Sequence, residues 1–256
     1  MVSAHGIEYW QENFKWWMDN LIEKDFHVHG SIMFLEVRND DWTEEKIIHF
    51  LKYLNFATDY WINNIFPKIA PENDPKEIFQ HWVHHELKSS QLSHYTPLMI
   101  GTEEYFPGCT IHRSLVVRLG DLAIVPCHRT SYDEFVGGYF KVENDKIVGV
   151  HAENIQVMNQ VWLNNMQGSP KCGGCIYSDY CLKGCFGSQF ESTGDLLYPC
   201  ETVCDLYKAR FIFLYHKYSK IGVLDEKKDK QMLNIIEKIK DTEDYHKWTK
   251  ITQQII

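Results

Sequence analysis

Half of this chain has no cysteine at all: none occurs before Cys109 and none after Cys204, although the 256 residues hold eight. No segment reaches the run of about 18 apolar residues that a bilayer-crossing helix needs, so no membrane partner is expected. Basic residues are short as well. A formal charge of −9 excludes the clustered excess of Lys and Arg that a nucleic-acid surface requires. The first ten residues lack the basic start and apolar run of a secretory signal, which points to a cytoplasmic, reducing setting. There, grouped cysteines serve as metal or cluster ligands more readily than as disulfides.

What is abundant fits a folded, soluble chain. Hydrophobic content is 44% and charged content 24%, ordinary for a globular protein. Aromatics reach 14%, with eight Trp, which calls for large buried faces, a substrate groove, or both.

The pattern along the chain predicts an α+β protein. Residues 7–24 place Trp10, Phe14, Trp17 and Leu21 at helical spacing. Residues 31–37 (SIMFLEV) read as a buried strand. Asp41 with Glu44 marks a helix start, and a helix is expected from about Thr43 to Ile65, with Ile47, Leu51, Leu54 and Thr58 on one side. One buried strand between two helices leaves its backbone groups unpaired, so residues 1–80 read as a piece of a larger sheet. Residues 81–108 read as a linker. Two hairpins follow, Arg113–Leu119 with Leu122–Pro126 across Gly120-Asp121, and Gly138–Val142 with Lys146–Val150 across Asn144-Asp145. Helices are expected over 153–166, with Ile155, Met158, Val161, Trp162 and Met166 on one face, and over 202–220. Residues 216–256 are expected to end the chain as a charged helical tail.

The chemistry lies in the cysteines: Cys109, Cys127, Cys172, Cys175, Cys181, Cys185, Cys200 and Cys204. The dense part is Cys172-x2-Cys175-x5-Cys181-x3-Cys185. A two-residue spacer lets a tight turn aim two thiolates at one centre, and Gly173 and Gly174 fill it, giving the backbone its dihedral freedom. On this segment alone zinc and iron–sulfur are equally good readings.

The full order, Cys109, Gly120, Cys127, the four-cysteine run and then Cys204 in CDLYKARF, resembles the SPASM module at the C-terminus of radical-SAM peptide-modifying enzymes. There are departures: six residues rather than four separate Gly120 from Cys127, Lys183 stands where many members have glycine, and Cys200 is an extra thiol. The resemblance spans about residues 105–215 and implies a SPASM domain at 109–215 with two auxiliary [4Fe-4S] clusters. Cys109, Cys127 and Cys185 would hold the first; Cys172, Cys175, Cys181 and Cys204 would hold the second. The first is then one thiolate short, to be completed by Cys200 or left open for a substrate thiol, with His112 and His128 as further neighbours.

Upstream, WWMDNLIEK…SIMFLEVRNDDWTEEKI resembles the last strand and flanking helices of a radical-SAM partial α/β barrel, the maturases of CXXX-repeat targets being the nearest subfamily. At the end of such a strand Glu36, Arg38 and Asn39 would face cosubstrate or substrate; as plain local structure they would open a loop and cap a helix. The chain contains no CxxxCxxC triplet and no glycine-rich strand end. The expectation is therefore a C-terminal portion of a maturase that acts on a ribosomally made precursor peptide. It would use S-adenosylmethionine only in the complete enzyme, with a chain or segment carrying the N-terminal half as partner, so whether this chain is itself an enzyme stays open. Two other readings remain, a non-catalytic iron–sulfur relay or partner subunit and a zinc-stapled binding module. His81, His84 and His85 at helical spacing read as an amphipathic surface helix.

Overall fold

The computed structural model describes residues 6–22, 42–65, 115–167, 169–177, 186–222, 224–227 and 229–256. These are mixed helix and antiparallel sheet. The strand expected at 31–37, with Glu36, Arg38 and Asn39, lies outside them, as do the histidines 81–85 and the linker. No helix among the described residues is long and apolar enough to cross a membrane. The chain divides into two compact units: Met1–Leu98 with Glu201–Ile256, and Met99–Cys200.

The first unit is helical. A 3-10 turn at Ile7–Tyr9 leads into α1 (Trp10–Ile22), where Trp10 and Phe14 each pack 5.9 Å from the Tyr53 ring. Trp16, on the opposite face, is exposed. Helix α2 (Glu44–Tyr60) buries Ile47, Leu51, Leu54 and Thr58, the expected stripe. Its cap is Thr43, whose hydroxyl accepts the Lys46 amide at 3.4 Å; Asp41, the residue the spacing favoured, lies outside the described residues. At its far end α2 loosens into a π-turn, Trp61–Ile65, which no periodicity announces.

The long helix α5 (Glu201–Lys220) packs against α2 and against the last helix. The expected tail is two helices, α6 (Lys230–Ile239) and α7 (Glu243–Ile255). Thr242 divides them: its hydroxyl donates to the Ile239 carbonyl at 2.7 Å and accepts the Tyr245 amide at 3.3 Å. Far from trailing, α7 belongs to the same unit as the N-terminal helices, because Trp248 is 1% exposed and must be covered.

The second unit is built on a four-stranded sheet of order β1-β2-β3-β4, every pairing antiparallel. Strands β1 (Val116–Arg118) and β2 (Ala123–Val125) form the first expected hairpin. Its left-handed residue is Leu122, at φ 60, rather than Gly120. Two groups hold it there: the Leu122 amide donates to the Arg118 carbonyl at 2.8 Å, and the Asp121 carboxylate accepts both the Ala123 amide and the Arg118 guanidinium. Strands β3 (Gly138–Glu143) and β4 (Lys146–Ala152) turn at Asn144 and Asp145, with φ 50 and 59, the geometry Asn-Asp favours. Helix α3 (Ile155–Gln167) buries Met158 and Val161 but leaves Ile155 exposed. Helix α4 (Phe186–Thr193) completes the unit.

Candidate metal centre

Of the eight cysteines, Cys109, Cys181 and Cys185 lie outside the described residues. The other five are thiols of intermediate exposure, reachable by a metal yet partly shielded from water. Cys127 through Cys200 belong to the sheet unit, and Cys204 lies in the first turns of α5. Among the described residues, no three His, Cys, Asp or Glu side chains are grouped to hold a metal ion.

Cys127 sits at the end of the sheet in extended backbone, φ −156 and ψ 154, and opens a 3-10 turn over His128–Thr130. Its sulfur accepts the Arg129 amide at 3.5 Å, and His128 Nδ1 lies 3.6 Å away. An amide aimed at sulfur is the interaction that steadies thiolate charge in a cluster or zinc site. The turn is locked from below by Thr130, whose amide and hydroxyl both donate to the Cys127 carbonyl, at 3.0 and 3.1 Å.

Helix α4, which begins one residue after Cys185, is seated on this turn. Phe186 joins Phe135 and Val161 in a buried cluster against which Cys127 packs. Gly187 lies so close to the Arg129 carbonyl that a methyl group there would overlap it. Arg129 then reaches along α4 to Ser188 Oγ at 3.0 Å and Glu191 Oε2 at 2.5 Å, and Tyr132 donates to Glu191 Oε1 at 2.6 Å. The Glu191 bond raises the Tyr132 pKa. This clasp joins residues 59 and 62 positions apart. No spacing rule reveals it; the only sequence signal is that Gly187 follows the cysteine run.

The Cys172–Cys175 knuckle follows a 3-10 turn whose cap is Ser169, accepting the Lys171 amide at 3.2 Å. The Cys175 amide donates to the Cys172 carbonyl at 3.1 Å, closing the loop. Here the structure corrects the role given to the glycines. Gly173 is right-handed, at φ −62 and ψ −24, and Gly174 is not among the positive-φ residues. Neither supplies a special dihedral. Around Gly174, a Cβ would meet nothing within 4 Å, so what this glycine leaves is an open approach to the two sulfurs.

All-thiol donors on a tight turn, an amide aimed at a sulfur and partial exposure fit a thiolate-bound metal group, iron–sulfur or zinc. Beside the α4 clasp runs a groove of about 350 Å³. Phe135, Val161, Phe190, Leu196 and Leu197 floor it, and the carboxylates of Glu134 and Asp195 stand at its rim. Its size and lining suit one or two apolar side chains of a peptide.

Comparison with protein-family models, with curated proteins and with solved structures gives no match.

Proposed function

We propose that this chain is the iron–sulfur-binding C-terminal portion of a radical-SAM maturase that modifies a ribosomally made precursor peptide. The observation that carries the reading is the seating of α4 on the Cys127 turn. A helix starting one residue after Cys185 is clasped to the turn opened by Cys127, which supports two cysteines remote in sequence serving one cluster. That is the interleaving the cysteine order implies: Cys109, Cys127 and Cys185 for one [4Fe-4S] cluster, with Cys200 or a substrate thiol in the fourth place, and Cys172, Cys175, Cys181 and Cys204 for the other.

Such clusters supply one-electron redox chemistry, tuned by hydrogen bonds to the sulfurs. The chain's own residues would do the rest. The Arg129 amide stabilises charge on Cys127. The Arg129–Glu191–Tyr132 clasp fixes the turn in place, and the apolar groove beside it receives a side chain of the precursor peptide. S-adenosylmethionine cleavage belongs to a segment or partner carrying the CxxxCxxC half, with Glu36, Arg38 and Asn39 as its nearest contacts from this chain. The zinc reading keeps one specific support, the Cys172–Cys175 turn, which serves zinc equally well.

The test is a pair of single variants in anaerobically reconstituted protein, read by electron paramagnetic resonance. Cys181→Ala should remove the cluster held with Cys172 and Cys175, whereas Cys185→Ala should damage the one held with Cys109 and Cys127. If both variants lose the same cluster, the interleaved assignment fails.

A further inference from the structure

A second groove, of about 470 Å³, lies in the helical unit, and none of its lining residues is a cysteine. Its main wall is a single stripe of α2. Lys52, Asn55, Phe56, Asp59 and Tyr60 recur at three- and four-residue steps, and the π-turn then adds two consecutive carboxamides, Asn63 and Asn64. Gln11 of α1 and Gln254 of α7 face it from the other sides. Isolated π-turns inside helices concentrate at functional sites, and this one ends the groove.

The chemistry of the lining narrows what can bind. Asp59 is the only acid in it, and its charge is already answered: the ammonium of Lys217, a residue 2% exposed, donates to Asp59 Oδ1 at 2.6 Å and to Asn55 Oδ1 at 2.7 Å from beneath. A groove so neutralised attracts neither a metal cation nor a phosphate strongly. The aromatic faces are taken too. Phe56 and Tyr60 stack on each other at 5.7 Å, Phe14 meets both edge-on, and the Tyr60 hydroxyl donates to Asp19. No open ring face is left as a platform for a sugar.

What remains is a set of carboxamides, each able to donate and accept at once. Asn63, Gln11 and Gln254 are exposed, and Asn64 spends one donor on the Tyr60 carbonyl at 3.2 Å. A peptide backbone presents the same pair of functions. The spacing also agrees: a four-residue helical step advances about 6 Å, and two residues of extended chain advance about 6.6 Å. Side chains at such steps on α2 therefore meet alternate peptide units of a strand laid along it.

From this match we infer that the groove between α1, α2 and α7 binds the backbone of an extended peptide, with little regard to its side chains. The inference uses only the helical unit and does not rest on the cluster reading.

The probe is a capped peptide of alternating threonine and serine, about eight residues long to match the stripe, titrated into the full nitrogen-15-labelled chain. Saturable shifts of the Asn63 and Gln254 side-chain amide signals are expected. Methylating alternate peptide nitrogens should weaken binding about tenfold or more, because two backbone donors are lost. Replacing the side chains with valine and glutamine should change it by about threefold or less. The double variant N63A/Q254A should bind about tenfold more weakly with an unchanged melting temperature. Asn55 is left intact because it holds Lys217. The inference is overturned if no saturable shift occurs, if the N-methylated peptide binds equally well, or if maltohexaose saturates the same signals while the peptide does not.

Discussion

The two units of this chain bury their apolar residues in very different measure. The largest fully buried side chains, among them Trp42, Trp248, Tyr218, Phe50 and Phe213, all belong to the helical unit. The large exposed ones, Tyr9 and Trp16 excepted, belong to the cysteine-rich unit: Leu115 and Leu119 at the first hairpin, Ile147, Val148 and Val150 on β4, and others. Described core clusters in that unit are small, Phe135 with Val161 and Phe186, and Ala123 with Val125 and Val136. One unit is held by hydrophobic burial. The other has a thin core, and small thin-cored folds are commonly held by metals or disulfides.

The strongest expected consequence is that metal and fold are coupled in the sheet unit alone. Anaerobic chelation of reconstituted protein should expose the amides of β1–β4 and α4 to hydrogen exchange. Protection in α2, α5 and α7 should persist. Uniform loss in both units, or in neither, would break the contrast.

Next in size is Trp248→Ala. Removing a large aromatic from a site that is 1% exposed should destabilise the helical unit by about 3–5 kcal/mol. Chemical denaturation followed by exchange would measure it, and the iron content of the sheet unit should not change.

Gly187→Ala acts on the other side. Its methyl group would meet the backbone carbonyl of Arg129, which cannot rotate away as a side chain can. A cost of about 1–3 kcal/mol is expected. Because the strain falls on the turn that Cys127 opens, the cluster held with Cys127 should load less fully than its neighbour. Equal loading of both would detach α4 from the metal centre.

The smallest effects concern acid. Burial lowers the pKa of His216, whose Nε2 lies 2.9 Å from Thr249 Oγ1. The folded helical unit thus favours neutral imidazole. Its contribution is complete above about pH 6.5, the unfolded value, and is lost as pH falls through the lowered folded one. In the sheet unit, hydrogen bonds from the Arg118 guanidinium bring Asp121 down to about 2. That contribution is present above about pH 3.9 and fades as pH falls toward 2. Acid titration by exchange should therefore weaken the helical unit first, and His216→Gln should remove that earlier step. Asp121→Asn should flatten only the later one.

Much of this was legible in the sequence, for a clear reason. Local signals fixed by side-chain period and turn chemistry survived: the α2 stripe, the Asn144-Asp145 turn, and both hairpins. What was missed depends on partners far away in the chain. Nothing in residues 225–255 says that Trp248 must be covered, so a tail was expected where a packed helix stands. Gly120-Asp121 carries the turn signal, yet Leu122 takes the left-handed backbone because Asp121 and Arg118 hold it. The glycines between Cys172 and Cys175 promised unusual dihedrals and provide open space instead. At the candidate centre, the cysteine order was visible at once, while the Arg129–Glu191–Tyr132 clasp was not, since it joins residues about sixty positions apart.

The central claim, that the thin-cored unit is built around iron–sulfur clusters, is tested most directly by metal and acid-labile sulfide analysis. The anaerobically reconstituted full chain is the sample. The account predicts brown protein with about eight iron and eight sulfide per chain, as two four-iron clusters require. Stoichiometric zinc with negligible iron and sulfide would contradict it.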